Sequence, residues 1–192
     1  MTGFDAAYVH DTAPWDVGRP QAAIVRAAET GLVRGRVLDI GCGTGELSLY
    51  LAARGHPVVG VDAEPTAVAR ARRKATERGL DVEFCVADAL DPPELGRFDT
   101  VVDSGLFHVF DDPDREHYVE VIRSLLRPGG HALVLCFADT ASGGGGPRRV
   151  SPGEIRETFA ERDGWSVEWV DEAVFETRGG TVPASLSLVV RR

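Results

Sequence analysis

"VLDIGCGTGELSLYLA", residues 37–52, runs from an apolar stretch carrying Asp39, through three glycines in five positions (Gly41, Gly43, Gly45), into a segment with helical spacing. Glycine at such places lets the chain turn tightly between a strand and a helix and brings the backbone up to a ligand with no side chain in the way. On both sides of this turn the apolar pattern alternates. Residues 20–30 are expected as a helix that stops at Gly31, and "GRVLDIG" as the first strand. Helix 45–54, strand 57–61, helix 65–78, strands 82–86 and 98–103, helix 113–126 and strand 131–137 follow. Short apolar strands separated by amphipathic helices predict an α/β fold, a parallel sheet with helices on both faces. The tail, "WSVEWVDEAVFET" then "ASLSLVVRR", reads as two longer strands joined near Gly179 and Gly180.

The chain of 192 residues is sized for one domain, 1–192, in which residues 1–21 are expected to form a lid over a core of 22–192. That opening segment carries Phe4, Tyr8 and Trp15, three of the chain's fourteen aromatics. It has neither the basic start nor the apolar centre of a secretory signal, so a cytoplasmic location is expected. No window approaches the length of a membrane span. Cys42, Cys85 and Cys136 lack CxxC spacing and lie in apolar runs, which suits small buried side chains rather than a disulfide or zinc framework. A formal net charge of −9 opposes phosphate attraction, so nucleic acid is not an expected partner and a small molecule is. The scattered His56, His117 and His131 give no metal site. Oligomeric state has no signature in the sequence.

What the turn holds is narrowed by its charges. A dinucleotide fingerprint requires glycine three positions after Gly43, where this chain has Glu46, and Asp39 precedes the turn. Two carboxylates repel a pyrophosphate and attract a cation, so a cationic ligand is expected. Asp62 ends the second strand, placed to accept ribose hydroxyls, and Asp88 follows the third, placed to accept an exocyclic amine.

In order, "VLDIGCGTG", Asp62, "ADA" at 87–89, "FDTVVDSG" at 98–105 and "LLRPGG" at 125–130 resemble the motifs of class I S-adenosylmethionine-dependent methyltransferases. The resemblance implies a Rossmann-like sheet of seven strands in the order 3-2-1-4-5-7-6, the seventh antiparallel. It also implies S-adenosylmethionine as cofactor, with S-adenosylhomocysteine as product. Asp39 and Gly41, Cys42, Gly43 and Gly45 would meet the methionine end, Asp62 and Ala63 the ribose, Asp88 and Ala89 the adenine. Asp103 and Ser104 would line the site near the acceptor, with Trp15 covering the cofactor. "APWDVGRPQ", "DSGLFHVFDD" and "GPRRVS" are further similar to small bacterial enzymes related to thiopurine, thiol and heterocyclic-toxin methyltransferases. That implies a thiol or heteroaromatic sulfur or nitrogen acceptor first, and a phenol or quinol second.

Methyl transfer from a sulfonium is an in-line displacement that mainly requires alignment and the exclusion of water. His108, just past the fourth strand in "GLFHVF", is the candidate general base for a weakly acidic acceptor, with Phe107 as an apolar wall. Tyr8, His10 and Trp15 on the lid, and Arg148 and Arg149 after the glycine run 143–146, are candidate acceptor contacts. The loop 138–150 is a candidate gate. A non-catalytic S-adenosylmethionine-binding module uses the same residues. A nicotinamide-dependent oxidoreductase is disfavoured by Glu46 and by the absence of a tyrosine four residues before the sole lysine, Lys74.

Overall fold

In the computed structural model, residues 3–143 and 146–192 are described, except for the side chain of Arg162. Strand β1 (Val37–Ile40) is buried at every position. It lies between β2 (Val58–Asp62) and β4 (Phe98–Ser104), parallel to both, with Ile40 opposite Val61 on one side and Asp103 on the other. The three strands therefore end together at one edge, where the glycine turn leaves β1.

With β3 (Glu83–Val86), β5 (Leu126–Phe137), β6 (Trp165–Thr177) and β7 (Gly180–Arg191), these strands make a seven-stranded sheet in the order β3-β2-β1-β4-β5-β7-β6. Strand β7 is antiparallel to both of its neighbours. Side-chain alternation along β1 divides the core. Leu38 and Ile40 face Tyr118 and Ile122 of α5 (Asp112–Leu125), and this layer continues to Phe159 and Trp165. Val37 faces Ile24 of α2 (Ala22–Glu29) and Leu47 and Leu51 of α3 (Glu46–Ala52). Asp39 falls on the second face, beneath the turn.

Strand β5 starts five residues before its expected position, directly at Leu126, which pairs with Phe98; Pro128 removes the donor that a continued helix needs. Two short helices have no counterpart in the sequence reading. Helix α1 (Gly3–Val9) packs against α4 (Pro65–Arg78), and α6 (Pro152–Thr158) starts with a capping box in which Ser151 and Glu154 hold each other's backbone amides.

Gly41, Gly43 and Gly45 have φ of 74°, 52° and 82°. At Gly45 a Cβ would stand 2.8 Å from both Ala71 and Phe84, so α3 can approach α4 and β3 only because this residue is glycine. Gly55 has φ of 89° but faces open space. Gly45→Ala should therefore cost about 1–3 kcal/mol more than Gly55→Ala in denaturant unfolding, the difference isolating packing from backbone strain. Equal losses would show that the close approach at Gly45 does not matter.

Candidate active site

The glycine turn is tied to the end of β2. The amides of Gly41 and Cys42 both donate to the carbonyl of Val61, and the amide of Gly43 donates to Asp62 Oδ2 at 2.8 Å. Asp62 Oδ1 accepts from the Glu64 amide at 2.9 Å, which leaves lone pairs on both oxygens. Burial raises the pKa of Asp62 against these donors. Beneath the turn Asp39 is 1% exposed and accepts a 2.6 Å bond from Ser48 Oγ. Burial pushes its pKa up to about 7.

Glu46 corrects the charge argument. Its carboxylate is held by Lys74 at 2.8 Å and by both guanidinium nitrogens of Arg78 at 3.0 Å, and these partners keep its pKa low. Neutralised by two cations on α4, Glu46 offers a ligand no free negative charge. The acidity of the site comes from Asp39, Asp62 and Asp16 instead.

The segment before α2 lies across the turn. Tyr8 is buried, and its hydroxyl stands 2.8 Å from the place a Cβ on Gly43 would take. Trp15 Nε1 donates to that hydroxyl at 2.8 Å, and Phe4 meets the Trp15 ring edge-on at 5.4 Å. Burial, reinforced by the Asp62 carboxylate, keeps the Tyr8 hydroxyl protonated well beyond neutral pH. Thr44 Oγ1 donates to Asp16. From the β6–β7 turn, Arg178 reaches Asp11 and the carbonyl of Asp16, while its amide donates to Pro14. Gln21 exchanges side-chain bonds with the backbone of Glu176 on β6. Between segment and turn lies a cavity of about 80 Å³, walled by Tyr8, Trp15, Asp39, Gly43, Ser104 and Phe175, among others.

The residues named from sequence separate accordingly. Tyr8, Trp15, Asp39, Gly41, Cys42, Gly43 and Ser104 all line this cavity. Gly45 sits below it as the α3 N-cap. Ala63 is exposed beside Asp62, Ala89 is buried in the core, and exposed Asp88 uses Oδ1 to accept from the Leu90 amide. Asp103 does not face the cavity. It is fully buried and accepts from the amides of Leu106 and Phe107 and from Tyr118 Oη at 2.7 Å, so it organises the bend after β4; burial lifts its pKa to about 6. Phe107 is no pocket wall either, being fully buried and stacked on Phe159 at 5.6 Å. His10 is exposed at the end of α1. Arg148 is engaged by Asp112 and Glu154 on the surface, which removes it from the acceptor contacts, whereas Arg149 lies 5.5 Å over the ring of Phe137. Gly144 and Gly145 of the proposed gate lie outside the described residues; Ala138 and Val150 on either side form a parallel bridge.

His108 departs most from expectation. It is 3% exposed, and its Nδ1 accepts the Phe137 amide at 2.9 Å. The lone pair that a base requires is taken, so the neutral ring carries its proton on Nε2. Desolvation, with Arg149 and Arg115 nearby, pushes its pKa down to about 4. Phe175, which the sequence did not single out, lines the cavity from β6 and approaches His108 to 6.1 Å. Among the described residues no group of three or more His, Cys, Asp or Glu is gathered to hold a metal, and no helix is long and apolar enough to cross a membrane.

The methyltransferase domain family model matches residues 37–130. The 2-heptyl-1-hydroxyquinolin-4(1H)-one methyltransferase of Mycobacteroides abscessus is 42% identical over 170 residues, 86% of this chain and 74% of that protein. Probable thiol methyltransferase 2 of Arabidopsis thaliana is 32% identical over 160 residues, covering 82% and 71%. Among solved structures, the protein studied for the conversion of a disulfide bond into a thioacetal group during echinomycin biosynthesis superposes with a TM-score of 0.88, at 36% identity over 98% of this chain and 91% of that one. The fold is shared with magnesium protoporphyrin IX methyltransferase from Synechocystis with bound SAM, at a TM-score of 0.70 and 23% identity over 89% of this chain and 77% of that one. The chain belongs to the class I S-adenosylmethionine-dependent methyltransferases. It is an enzyme that transfers a methyl group from that cofactor to a small molecule.

Asp39, titrating near pH 7, gives the site a pH signature. A cationic ligand favours the carboxylate form, so affinity for S-adenosylmethionine should rise about tenfold between pH 6 and 8, and that for S-adenosylhomocysteine, which lacks the sulfonium, should rise less. Asp39→Asn should remove the difference in calorimetric titrations. An unchanged pH dependence in the variant would take Asp39 out of the account.

Proposed function

We propose that the chain methylates a small, flat heteroaromatic or thiol acceptor on sulfur, nitrogen or an acidic ring hydroxyl, beneath a lid formed by residues 3–21, the first two residues of the expected lid lying outside the described residues. The observation that carries this reading is the aromatic wall of the cavity. Trp15 and Phe175 line it together with Asp39 and Ser104, and Phe137 packs on Phe175 at 5.3 Å and on His108 at 4.5 Å between ring centroids. Such walls exclude water and hold a planar acceptor. The acceptors named for two relatives, a hydroxyquinolone and a thiol, belong to the same chemical range.

The residues present fit the cofactor. Two partly or fully buried carboxylates and a glycine position too close to Tyr8 for a side chain suit a cation with a ribose. Asp62 would hold the ribose hydroxyls, Asp39 and the turn from Gly41 to Gly43 the methionine end, and Asp88 with Ala89 the adenine. When bound, S-adenosylmethionine supplies an electrophilic methyl group. The protein contributes alignment and a dry site.

The cavity is far below the roughly 300 Å³ of an ordinary ligand pocket, so residues 3–21 have to lift for entry and close again. Deleting residues 1–17 should leave a cooperatively melting core that binds S-adenosylhomocysteine somewhat more weakly and loses most turnover. Mass spectrometry of products from a mixed panel of thiols, thiones, N-hydroxyheterocycles and phenols, with both proteins, tests the reading. Full activity of the truncated protein would reduce the segment to a tail. Methylation confined to simple phenols would overturn the acceptor class.

A further inference from the structure

Among the described residues, the lining of the cavity beneath the lid holds three acids, Asp16, Asp39 and Glu46, and one basic residue, Arg19. The guanidinium of Arg19 makes a single hydrogen bond among the described residues, from Nη2 to Glu176 Oε1 at 2.9 Å, so Nε and Nη1 keep donors to spare. Its base is fixed. Arg19 stands between Gly18, at φ 72°, and Pro20, whose ring confines the residue before it to extended backbone. Glu176 is fixed too: its Oε2 accepts the Ala22 amide at 3.0 Å, and its own amide and carbonyl pair with the side chain of buried Gln21 at 2.7 and 2.9 Å. The other cations near the lid are committed elsewhere. Lys74 is held by Thr44 and Glu46, Arg70 by the carbonyl of Tyr8 and Arg178 by Asp11, and all three line a second, open cleft.

We infer that Arg19 binds the α-carboxylate at the methionine end of the cofactor, and that this carboxylate thereby fastens the lid to which Arg19 belongs. The inference rests on the placement of the methionine end over Asp39 and the glycine turn proposed above. That end of S-adenosylmethionine carries two cations, a sulfonium and an ammonium, and one anion. The acids of the lining suit the cations, and Arg19 is the group that suits the anion. A guanidinium offers paired N–H groups in the fork that matches a carboxylate, and Glu176 occupies only one of its nitrogens. Glu176 does not cancel the site, because its charge is itself shared with the Ala22 amide and lies in the field of Arg26. Glu176 is accordingly a positioning residue: anchored in β6, it holds Arg19 at the cavity before any ligand arrives. A cofactor bound to Asp39 below and to Arg19 above would tie the glycine turn to the lid, so closure would follow from the cofactor rather than from the acceptor.

The test is calorimetric, on the full chain, with S-adenosylhomocysteine and its decarboxylated counterpart, which keeps the amine and lacks the carboxylate. The ratio of the two affinities is compared between proteins, which cancels the effect of the lost charge on the rest of the site. In Arg19→Gln the preference for S-adenosylhomocysteine should fall about ten- to a hundredfold relative to the unaltered protein, as expected for hydrogen bonds between charged groups. Arg19→Lys keeps the charge without the fork and should recover part of it. Glu176→Gln breaks the same ion pair and keeps an acceptor for Ala22; it should weaken both ligands alike and leave the ratio nearly unchanged. Hydrogen exchange of the α1 amides should be slower with S-adenosylhomocysteine than with the decarboxylated ligand, and the difference should vanish in Arg19→Gln. A ratio unchanged in Arg19→Gln, or changed equally in Glu176→Gln, or equal protection of α1 by the two ligands, would overturn this inference alone. Unchanged S-adenosylhomocysteine affinity in Asp62→Ala would overturn the placement of the cofactor and the inference with it.

Discussion

The amide of Gly43 donates to the carboxylate of Asp62 across 2.8 Å, and the rest of the site hangs on that bond. It joins a turn whose glycines all have positive φ to the end of the neighbouring parallel strand, so the backbone of one element and the acid of another face the same space. The bond works only because β1, β2 and β4 end in register and because residue 43 lacks a Cβ that would meet Tyr8. A sheet order that reverses direction at β1 and β4 opens a crevice at this edge, which is where doubly wound sheets take their ligands.

Charge is distributed unevenly around the turn, with acids on one side of the cavity and a cation over the aromatic cluster on the other. Asp39 and Asp62 lie at the turn, and Glu46 is cancelled by Lys74 and Arg78. On the other side Arg149 rides over Phe137, next to a histidine whose pKa desolvation pushes down to about 4. An anionic acceptor would be neutralised by the reaction itself in a dry cleft and would call for little acid–base machinery. The N-terminal segment belongs to the same design, since Arg178 and Glu176 of the β6–β7 hairpin hold it against the turn.

What could be read from the sequence was local. The glycine spacing, the acids at successive strand ends and the apolar alternation gave the α/β class and the residues around the turn, because each depends on neighbours within a few positions, whereas the sheet order came from the resemblance to a known family. The errors came from partners far along the chain. Asp103 looked like a site residue until Tyr118, fifteen residues later, closed over it. Glu46 looked like a free charge because the cations that neutralise it lie on another helix. The tautomer of His108 is set by a backbone amide 29 residues away, and Phe175 reaches the cavity only because β7 carries β6 back across the sheet. The short α1 had no periodic signal of its own; Tyr8, buried against the turn, and the partly buried Trp15 that packs on it give it a place.

The central claim is that cofactor and acceptor meet between the glycine turn and the Tyr8–Trp15 pair. A crystal structure of the full chain with S-adenosylhomocysteine tests it most directly. The account predicts the ribose hydroxyls on Asp62, the homocysteine along Gly41–Gly43 above Asp39, and Tyr8 and Trp15 covering both, with the sulfur directed toward Ser104 and Phe175. A cofactor bound elsewhere on the sheet edge, or bound at the turn with residues 3–21 displaced from it, would contradict the account.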